Sequence, residues 1–354
     1  MFFILIYVYS IESSDCSQLS FNFSYKENTL QYIIGGFFMR NLLLSIPVPL
    51  SGLMLGIMAL AKIFFLIDIA LIGNLLFAAG MILFSLIVLK AIFEFTNVRA
   101  QLENLAIASV SPTFTMGTMV MTSILLLQNA FVHIAHVIWV AAVVLHIVLM
   151  VYFVTKFIVR SPLTMQSVLP SWFVTFAGIG MIPATAPAFA QEYTKWIVWL
   201  GLFNFIVLLP FILKRVFIMR DLPIPVKPMI TILAAPASLT LLAYLTQYGT
   251  KNEAIIYTGI IVAQLLYFIV LYEVQTLIKM PFYPSFGAFT FPLVVSAMTL
   301  YMVTKQLKNE PLWFEPLFYF ELIIASAITG YVFIIYMRYL AIQTVQTAEQ
   351  LSSK

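Results

Sequence analysis

The feature that most constrains this chain is a succession of apolar stretches, each about 20 residues long, which recur over most of its length. A helix needs roughly 20 apolar residues to cross the hydrocarbon core of a bilayer. Hydrophobic residues make up 62% of the chain and charged residues 9%, too little polar surface for a soluble globule. The sequence therefore predicts an all-α membrane protein with ten transmembrane helices, at residues 45–65, 68–92, 110–128, 131–156, 170–190, 194–217, 228–248, 254–278, 284–304 and 315–342.

The distribution of basic residues between these helices predicts the orientation of the chain. Cytoplasmic loops are enriched in Lys and Arg, so the more basic side is expected to face the cytoplasm of the cell membrane, with both termini inside. The net charge of +4 is scattered among loops, which suits an anionic lipid leaflet and not a nucleic acid. The basic side carries Lys90, Arg99, Lys156, Arg160, Lys214, Arg215, Arg220, Lys227 and Lys279.

A proline near the start of each odd-numbered helix marks an internal repeat. The prolines lie in "IPVPLSG", "VSPTFTMG", "LPSWFV", "VKPMIT" and "YPSFGAF", and the intervals from Pro49 to Pro284 are 63, 58, 58 and 56 residues. Proline suits the first turn of a helix, where its missing N–H has no intrahelical partner to lose. The repeat predicts five helical hairpins in a quasi-fivefold arrangement.

The two helices of each hairpin differ in composition. Odd-numbered helices contain small residues and helix breakers, whereas most even-numbered helices are longer and bulkier. Breaks free backbone carbonyl groups, which are tolerated at membrane depth only where protein buries them or where they line a water-filled cavity. The odd helices are therefore predicted to line a central pore, with the even helices outside. The predicted lining residues are Gly52, Gly56, Pro183, Pro187, Pro236, Gly287 and Pro292.

The predicted lining has almost no ionisable residue at depth, which bears on the solute. A pore without fixed negative charge has no cation-binding ring, and positive helix ends with a basic rim favour anions. A neutral pore could also pass a neutral solute, and the residues alone leave this open. Lys227, just before the seventh helix, is a candidate for attracting anions to the cytoplasmic mouth, although it also fits an ordinary membrane anchor.

Motifs for catalysis, metals or cofactors are missing from the sequence. Cys16 is the single cysteine, and no Walker, GxSxG or HExxH sequence occurs. His133, His136 and His146 lie on the fourth helix, where interhelical hydrogen bonds are favoured over metal binding because no third ligand is near in sequence. The chain is therefore not expected to be an enzyme or to need a cofactor or metal.

Four stretches between residues 41 and 345 carry a family resemblance: "PVPLSGLMLGIMAL", "EFTNVRAQLENLAIASVSPTF", "PVKPMITILAAPASLTLLAYL" and "FGAFTFPLVVSAMTLY". They resemble the tellurite-resistance/dicarboxylate transporter family, which includes bacterial TehA-type proteins, plant slow anion channels, and fungal malate and sulfite transporters. The aromatic-Thr-Phe-Pro element of the ninth helix is the most specific of them.

The resemblance implies a homotrimer in which each protomer has its own pore, occluded near mid-membrane by a phenylalanine. The gate falls on Phe291, the second Phe of "AFTFP", and a pore-lining glycine falls on Gly52. Phe291 shares a helix face with Gly287, four residues earlier, and Pro292 is expected to loosen or bend the helix beside the gate. "SVSPTF" departs from the His-Pro pattern of TehA-type proteins, and without a long phosphorylatable tail we expect a bacterial protein free of kinase control.

These features predict a channel or uniporter that passes small inorganic or organic anions, including oxyanions, through a Phe-gated pore. The alternative is a secondary, proton-coupled transporter of C4-dicarboxylates, sulfite or tellurite-like oxyanions. Strong coupling requires a titratable group in the pore, and the absence of one favours the channel, although a weakly basic anion could carry its own proton. The repeated helix breakers argue against a scaffold or receptor without transport.

The domain division follows from these stretches. We expect an N-terminal tail at residues 1–40, a membrane domain at 41–345 and a short cytoplasmic tail at 346–354. The tail begins with "MFFILIYVY", which is too short to span and lacks the basic n-region and cleavage site of a signal peptide. Met39 directly precedes the family-like region, so either translation starts at Met39 or residues 1–38 are a dispensable tail.

Overall fold

The computed structural model describes residues 39–248, 252–307 and 311–352, so nearly all of the predicted N-terminal tail lies outside it. Within these ranges the chain is helical and has no β-strand. Eight helices are long and apolar enough to cross a bilayer, which makes this a multi-pass membrane protein. They are Ala70–Phe93, Leu105–Leu127, Val132–Val159, Ala188–Met219, Ile224–Gln247, Glu253–Leu277, Pro284–Thr304 and Phe314–Ala348.

Two further apolar segments have a different shape. Met39–Ser45 and Leu50–Leu66 are apolar enough to cross together, but they meet at a bend of 90°. Trp172–Thr185 is shorter and includes a 3₁₀ turn at Ala177–Gly180. By length and composition, the described residues thus contain eight spanning helices, or nine if the bent pair is one span, against the ten predicted.

Burial divides these segments into two groups. Buried residues make up 72%, 89% and 83% of the most apolar stretch in three of the eight helices, but only 17% to 39% in the other five. Leu50–Leu66 and Trp172–Thr185 are also mostly buried. We call the buried group the inner segments, numbered one to five along the chain, and the remainder the outer helices. The inner segments are Leu50–Leu66, Leu105–Leu127, Trp172–Thr185, Ile224–Gln247 and Pro284–Thr304.

The outer helices present large apolar side chains on the surface. Leu71, Ile261 and Ile334 are 73%, 66% and 68% exposed. Such a surface would be unfavourable in water but suits the hydrocarbon of a bilayer. The predicted difference between breaker-rich and bulky helices therefore corresponds to a difference in burial.

The repeated prolines mark the inner segments, though not always their first turn. Pro49 directly precedes Leu50–Leu66, and Pro284 is the first residue of a 3₁₀ helix. Pro112 directly precedes Thr113–Leu127, after the short helix Leu105–Val110, whereas Pro228 lies inside the 3₁₀ helix Ile224–Ala234. The expectation of one start signal is wrong for Pro228, because its helix already begins four residues earlier.

The fifth inner segment is broken before Phe291. A 3₁₀ helix at Pro284–Phe289 ends, Thr290 follows, and an α-helix begins at Phe291 and continues to Thr304. Pro292 therefore occupies the first turn of a new helix, where its missing N–H costs no hydrogen bond. The expectation that Pro292 loosens or bends the helix beside Phe291 stays a prediction; the structure places the change from 3₁₀ to α-helix at Thr290, two residues before the proline.

The last helix, Phe314–Ser352, continues past the predicted end of the membrane domain. The described part of the predicted 346–354 tail is therefore helical. Tyr336, within this helix, donates a hydrogen bond to Pro284 O at 2.6 Å and joins it to the fifth inner segment.

Candidate functional site

The first and fifth inner segments pack closely because glycines lie where they meet. A Cβ atom added to Gly52 would come within 3.4 Å of the backbone carbon of Gly287, and one on Gly287 would lie 3.0 Å from Pro49 O. A Cβ atom on Gly56 would be 2.2 Å from Thr290 Oγ1, closer than any van der Waals contact. Glycine at these positions therefore lets the two backbones approach each other.

Thr290 connects the break in the fifth inner segment to the first inner segment. Its side chain is fully buried, and its hydroxyl lies 2.8 Å from Gly287 O and 3.1 Å from Gly52 O. The single hydroxyl proton is thus shared between carbonyl groups of two segments. This contact holds the start of the helix that carries Phe291 against Gly52.

Two cavities lie among the inner segments, and Phe291 lies in the wall of both. The first cavity has a volume of about 50 Å³ and the second about 150 Å³. A water molecule needs about 10–15 Å³ on this measure, so the first cavity holds only a few waters and the second roughly ten. Among the described residues, Phe291 alone is common to the two linings, and it is 7% exposed.

The first cavity is lined by all five inner segments or the residues that directly precede them. Its hydroxyl groups are occupied: Thr113 donates to Val110 O at 2.7 Å, and Ser285 donates to Pro225 O at 2.5 Å. No titratable side chain occurs in the described lining. The lining includes Pro49, Gly52, Met116, Phe173, Ala177, Met229, Ile232, Pro236, Gly287, Phe291 and Pro292.

The second cavity is also lined by all five inner segments, and it differs in charge. Lys62 is the one titratable residue of its described lining. Thr185 and Thr246 add hydroxyl groups, which donate to Met181 O and Leu242 O at 2.7 and 2.8 Å. The other lining residues are Ala59, Leu66, Val120, Met181, Ala184, Leu242, Phe291, Val295, Met298 and Met302.

The candidate residues from the sequence divide between the cavities and their surroundings. Gly52, Pro236, Gly287, Phe291 and Pro292 border the first cavity. The other four, which are Gly56, Pro183, Pro187 and Lys227, border neither cavity in the described lining. Gly56 lies against Thr290 instead. Lys62 was not among the candidates, because a lysine near the end of an apolar helix also fits a surface anchor. Its position in the lining of the second cavity corrects the expectation that the pore has no titratable group.

The buried polar groups of the outer helices lie outside both cavities. His146 is fully buried and shares a hydrogen bond with Thr115 Oγ1 at 2.8 Å, which confirms the expected interhelical contact. His136 packs edge-on against Phe189. Within the described residues, no group of three or more His, Cys, Asp or Glu side chains is placed to hold a metal ion.

Successive inner segments are joined by side-chain hydrogen bonds. Each pairs with the next along the chain, the third through Ser171 directly before it, and the fifth pairs with the first. The contacts are Ser51 Oγ with Thr113 Oγ1 at 2.7 Å, Ser109 Oγ with Ser171 Oγ at 2.6 Å, Gln247 Nε2 to Pro183 O at 2.6 Å, Thr231 Oγ1 to Ala288 O at 2.6 Å, and Thr290 Oγ1 to Gly52 O at 3.1 Å.

Together these features define a multi-pass membrane protein whose buried, broken helices enclose two cavities. The family described as voltage-dependent anion channel matches residues 38–338, most of the chain, and the chain belongs to this family. The resemblance drawn from the sequence is thereby confirmed. Members of the family are channels and transporters of small anions rather than enzymes. No curated protein matches the chain.

Proposed function

We propose that this protein is a passive, gated channel or uniporter for small anions and that Phe291 is its gate. The observation that carries the proposal is the position of Phe291, which forms a common wall of two cavities. Both cavities are bordered by the buried segments and not by the lipid-facing helices. A ring that separates two such cavities blocks passage while it stays in place and opens a continuous path when it moves.

The path is proposed to run along the axis of five helical hairpins in quasi-fivefold arrangement. This arrangement counts Leu50–Leu66 and Trp172–Thr185 as spans, which makes ten helices in all. The five hydrogen-bonded contacts between successive inner segments support it, because the contact of Thr290 with Gly52 O closes the series. Hydrogen bonds between helices are favourable in a bilayer, where water cannot compete for the same groups.

The electrostatics of the two cavities favour anions. An apolar cavity without carboxylates has no fixed negative charge to attract a cation, and selection then depends on radius and dehydration. We assign the first cavity to the cytoplasmic side, because it is bordered by Pro49 and Pro284 at the starts of inner segments. On this side lie the basic ends of the outer helices, with Lys227 on the rim and both termini in the cytoplasm.

The break before Phe291 supplies a place for the gate to move. Phe291 is the first residue of its α-helix, and a 3₁₀ helix precedes it. A short rotation about Thr290 would swing the ring without unfolding a continuous helix.

The family resemblance further supports a homotrimer in which each protomer has its own pore. We place it in the plasma membrane of a bacterium. The proposed solutes are small inorganic or organic anions, including oxyanions, and the lipid-facing outer helices provide the surface on which protomers would meet. Pro183 remains a proposed element of the third inner segment near the second cavity, where Thr185 is a lining residue, and Pro187 remains a proposed element of the connection that follows this segment.

The test is anion current across a planar bilayer containing purified wild type, Phe291→Ala or the control Phe114→Ala. Phe114 lies on an inner segment, stacks on Phe84 and borders neither cavity. We expect a small wild-type current that rises several-fold in Phe291→Ala alone and reverses near the anion equilibrium potential. Equal currents in all three proteins would refute Phe291 as the gate. Silence in all three, with malate or sulfite accumulation driven by a pH gradient in liposomes, would favour the coupled transporter instead.

A further inference from the structure

The second cavity contains a cation that the proposed pathway does not require. Lys62 lies near the end of the first inner segment, four residues before Leu66. Its neighbours Ala61 and Ile63 are completely buried, and its own side chain borders the cavity. A lysine that served only as a lipid anchor would extend its ammonium group to the membrane surface.

Among the residues that the structure describes, none neutralises the charge of Lys62. No acidic side chain among the described residues pairs with it, and none of their oxygen atoms accepts a hydrogen bond from its Nζ atom. Asp68, the nearest acidic residue in sequence, lies beyond the helix end and is exposed. The ammonium group has three N–H donors. An unpaired charge in a mostly apolar cavity is costly unless a counter-ion or water occupies the same space.

The hydroxyl groups of the cavity cannot replace this ligand. Thr185 and Thr246 already donate their protons to backbone carbonyls, and Thr185 accepts a hydrogen bond from Trp139 Nε1 at 3.1 Å. Their oxygen atoms therefore present no donor to an anion. Among the described lining residues, Lys62 is the sole side chain that combines a positive charge with available N–H donors.

We propose that the second cavity is an anion-binding site and that Lys62 is its charged ligand; this rests on the proposed function, whose selectivity it explains. The helical rise places Lys62 about 9 Å along the axis from Gly56, which lies against Thr290 beside the gate. An ion bound at Lys62 therefore lies in the second cavity, with Phe291 between it and the first cavity. One lysine balances one negative charge, so the ligand is a singly charged anion small enough for a cavity of about 150 Å³.

The first arm of the test is direct binding. Crystals of wild type, Lys62→Met, Lys62→Gln and Lys62→Arg are soaked in bromide, and the anomalous density is compared. We expect bromide within hydrogen-bonding distance of residue 62 in wild type and Lys62→Arg and none in the two neutral variants. Density that persists in the neutral variants, or that never occurs at Lys62, overturns the site.

The second arm is selectivity, measured in the Phe291→Ala background so that the path is open. Neutralising Lys62 should lower the anion permeability by roughly tenfold, at the lower end of the effect of charged clefts, while Lys62→Arg keeps it. Lys305→Met is the matched control, because Lys305 is exposed near the same helix ends, lies over the ring of Tyr301 and borders neither of the two cavities.

The two arms separate this inference from the proposed function. Anion current that is unaffected by Lys62→Met, without bromide at the site, overturns the Lys62 site and leaves the channel intact. Bromide bound at Lys62 in a protein that never conducts, even as Phe291→Ala, supports the site and overturns the channel. A tenfold loss in Lys305→Met equal to that in Lys62→Met would reduce the effect to general surface charge and overturn the site.

Discussion

Replacement of Gly56 by alanine tests the contact between the first and fifth inner segments. The added Cβ atom would lie 2.2 Å from Thr290 Oγ1, 2.4 Å from Thr290 Cβ and 3.1 Å from Phe291 N. Carbon atoms pack at about 3.5–4.0 Å, so the segments must separate by roughly 1 Å or Thr290 must shift by as much. Either movement strains the hydrogen bond from Thr290 to Gly52 O.

The magnitude follows from three opposing effects. Overpacking of a buried contact costs about 1–3 kcal/mol, and a lost hydrogen bond costs about 0.5–1.5 kcal/mol. Alanine in place of a helical glycine returns about 0.5–1 kcal/mol. We therefore expect Gly56→Ala to lower the free energy of unfolding by about 2 kcal/mol.

The assay is unfolding of the purified protein in mixed micelles, with Gly330→Ala as the control. A Cβ atom on Gly330 would meet nothing within 4 Å, so this variant should be as stable as wild type or slightly more stable. Removing the clashing side chain with Thr290→Gly should make the double variant with Gly56→Ala less destabilised than the sum of the single changes. Wild-type stability of Gly56→Ala, or strict additivity in the double variant, would contradict the close contact.

Two further outcomes concern buried polar groups and use the same unfolding assay. Thr290→Val keeps the shape of the side chain but removes its hydroxyl contacts with Gly52 O and Gly287 O, so we expect the free energy of unfolding to fall by about 1 kcal/mol. Thr290→Ser keeps the hydroxyl group and should largely avoid this loss. A valine variant as stable as wild type would refute the stabilising role of the hydroxyl group. Glu321 is fully buried close to Gln264 and Ser296, and Gln264 Oε1 has no hydrogen-bond donor among the described residues. Glu321→Gln supplies an amide donor and should raise stability by about 1–3 kcal/mol, whereas a loss of stability would indicate that the carboxylate itself is required.

Part of the site could be predicted from the sequence because helix breakers have few acceptable positions in a bilayer. Pro236, Gly287 and Pro292 occur in stretches that are too apolar to leave the membrane and too broken to face lipid. Such stretches must stay in the membrane and yet avoid lipid, and this requirement favours a position beside a cavity. The family resemblance separately directed attention to Phe291, because 32 phenylalanines offered no other means of choosing one.

Other features depend on register, which composition does not determine. The sequence does not distinguish a proline that bends a helix from one that lies in its first turn. The structure places Pro292 in the first turn of an α-helix that follows a 3₁₀ helix. Gly56 belongs to the same breaker-rich set as Gly52, yet it lies against Thr290 rather than a cavity. A rotation of one residue about a helix turns a side chain by about 100°, so pattern alone could not separate these roles.

The sequence by itself determined the membrane setting, the helical class and the separation of broken from lipid-facing helices. The reason is that a polar backbone group without a hydrogen-bond partner is energetically unfavourable in contact with the hydrocarbon of the bilayer. Only the tertiary structure decided that Phe291 borders two cavities and that Lys62 borders the second. Both facts arise from side chains far apart in sequence meeting across packed helices. These contacts depend on how each helix is rotated about its axis and on distances of a few ångströms between helices, and a local pattern of residues determines neither.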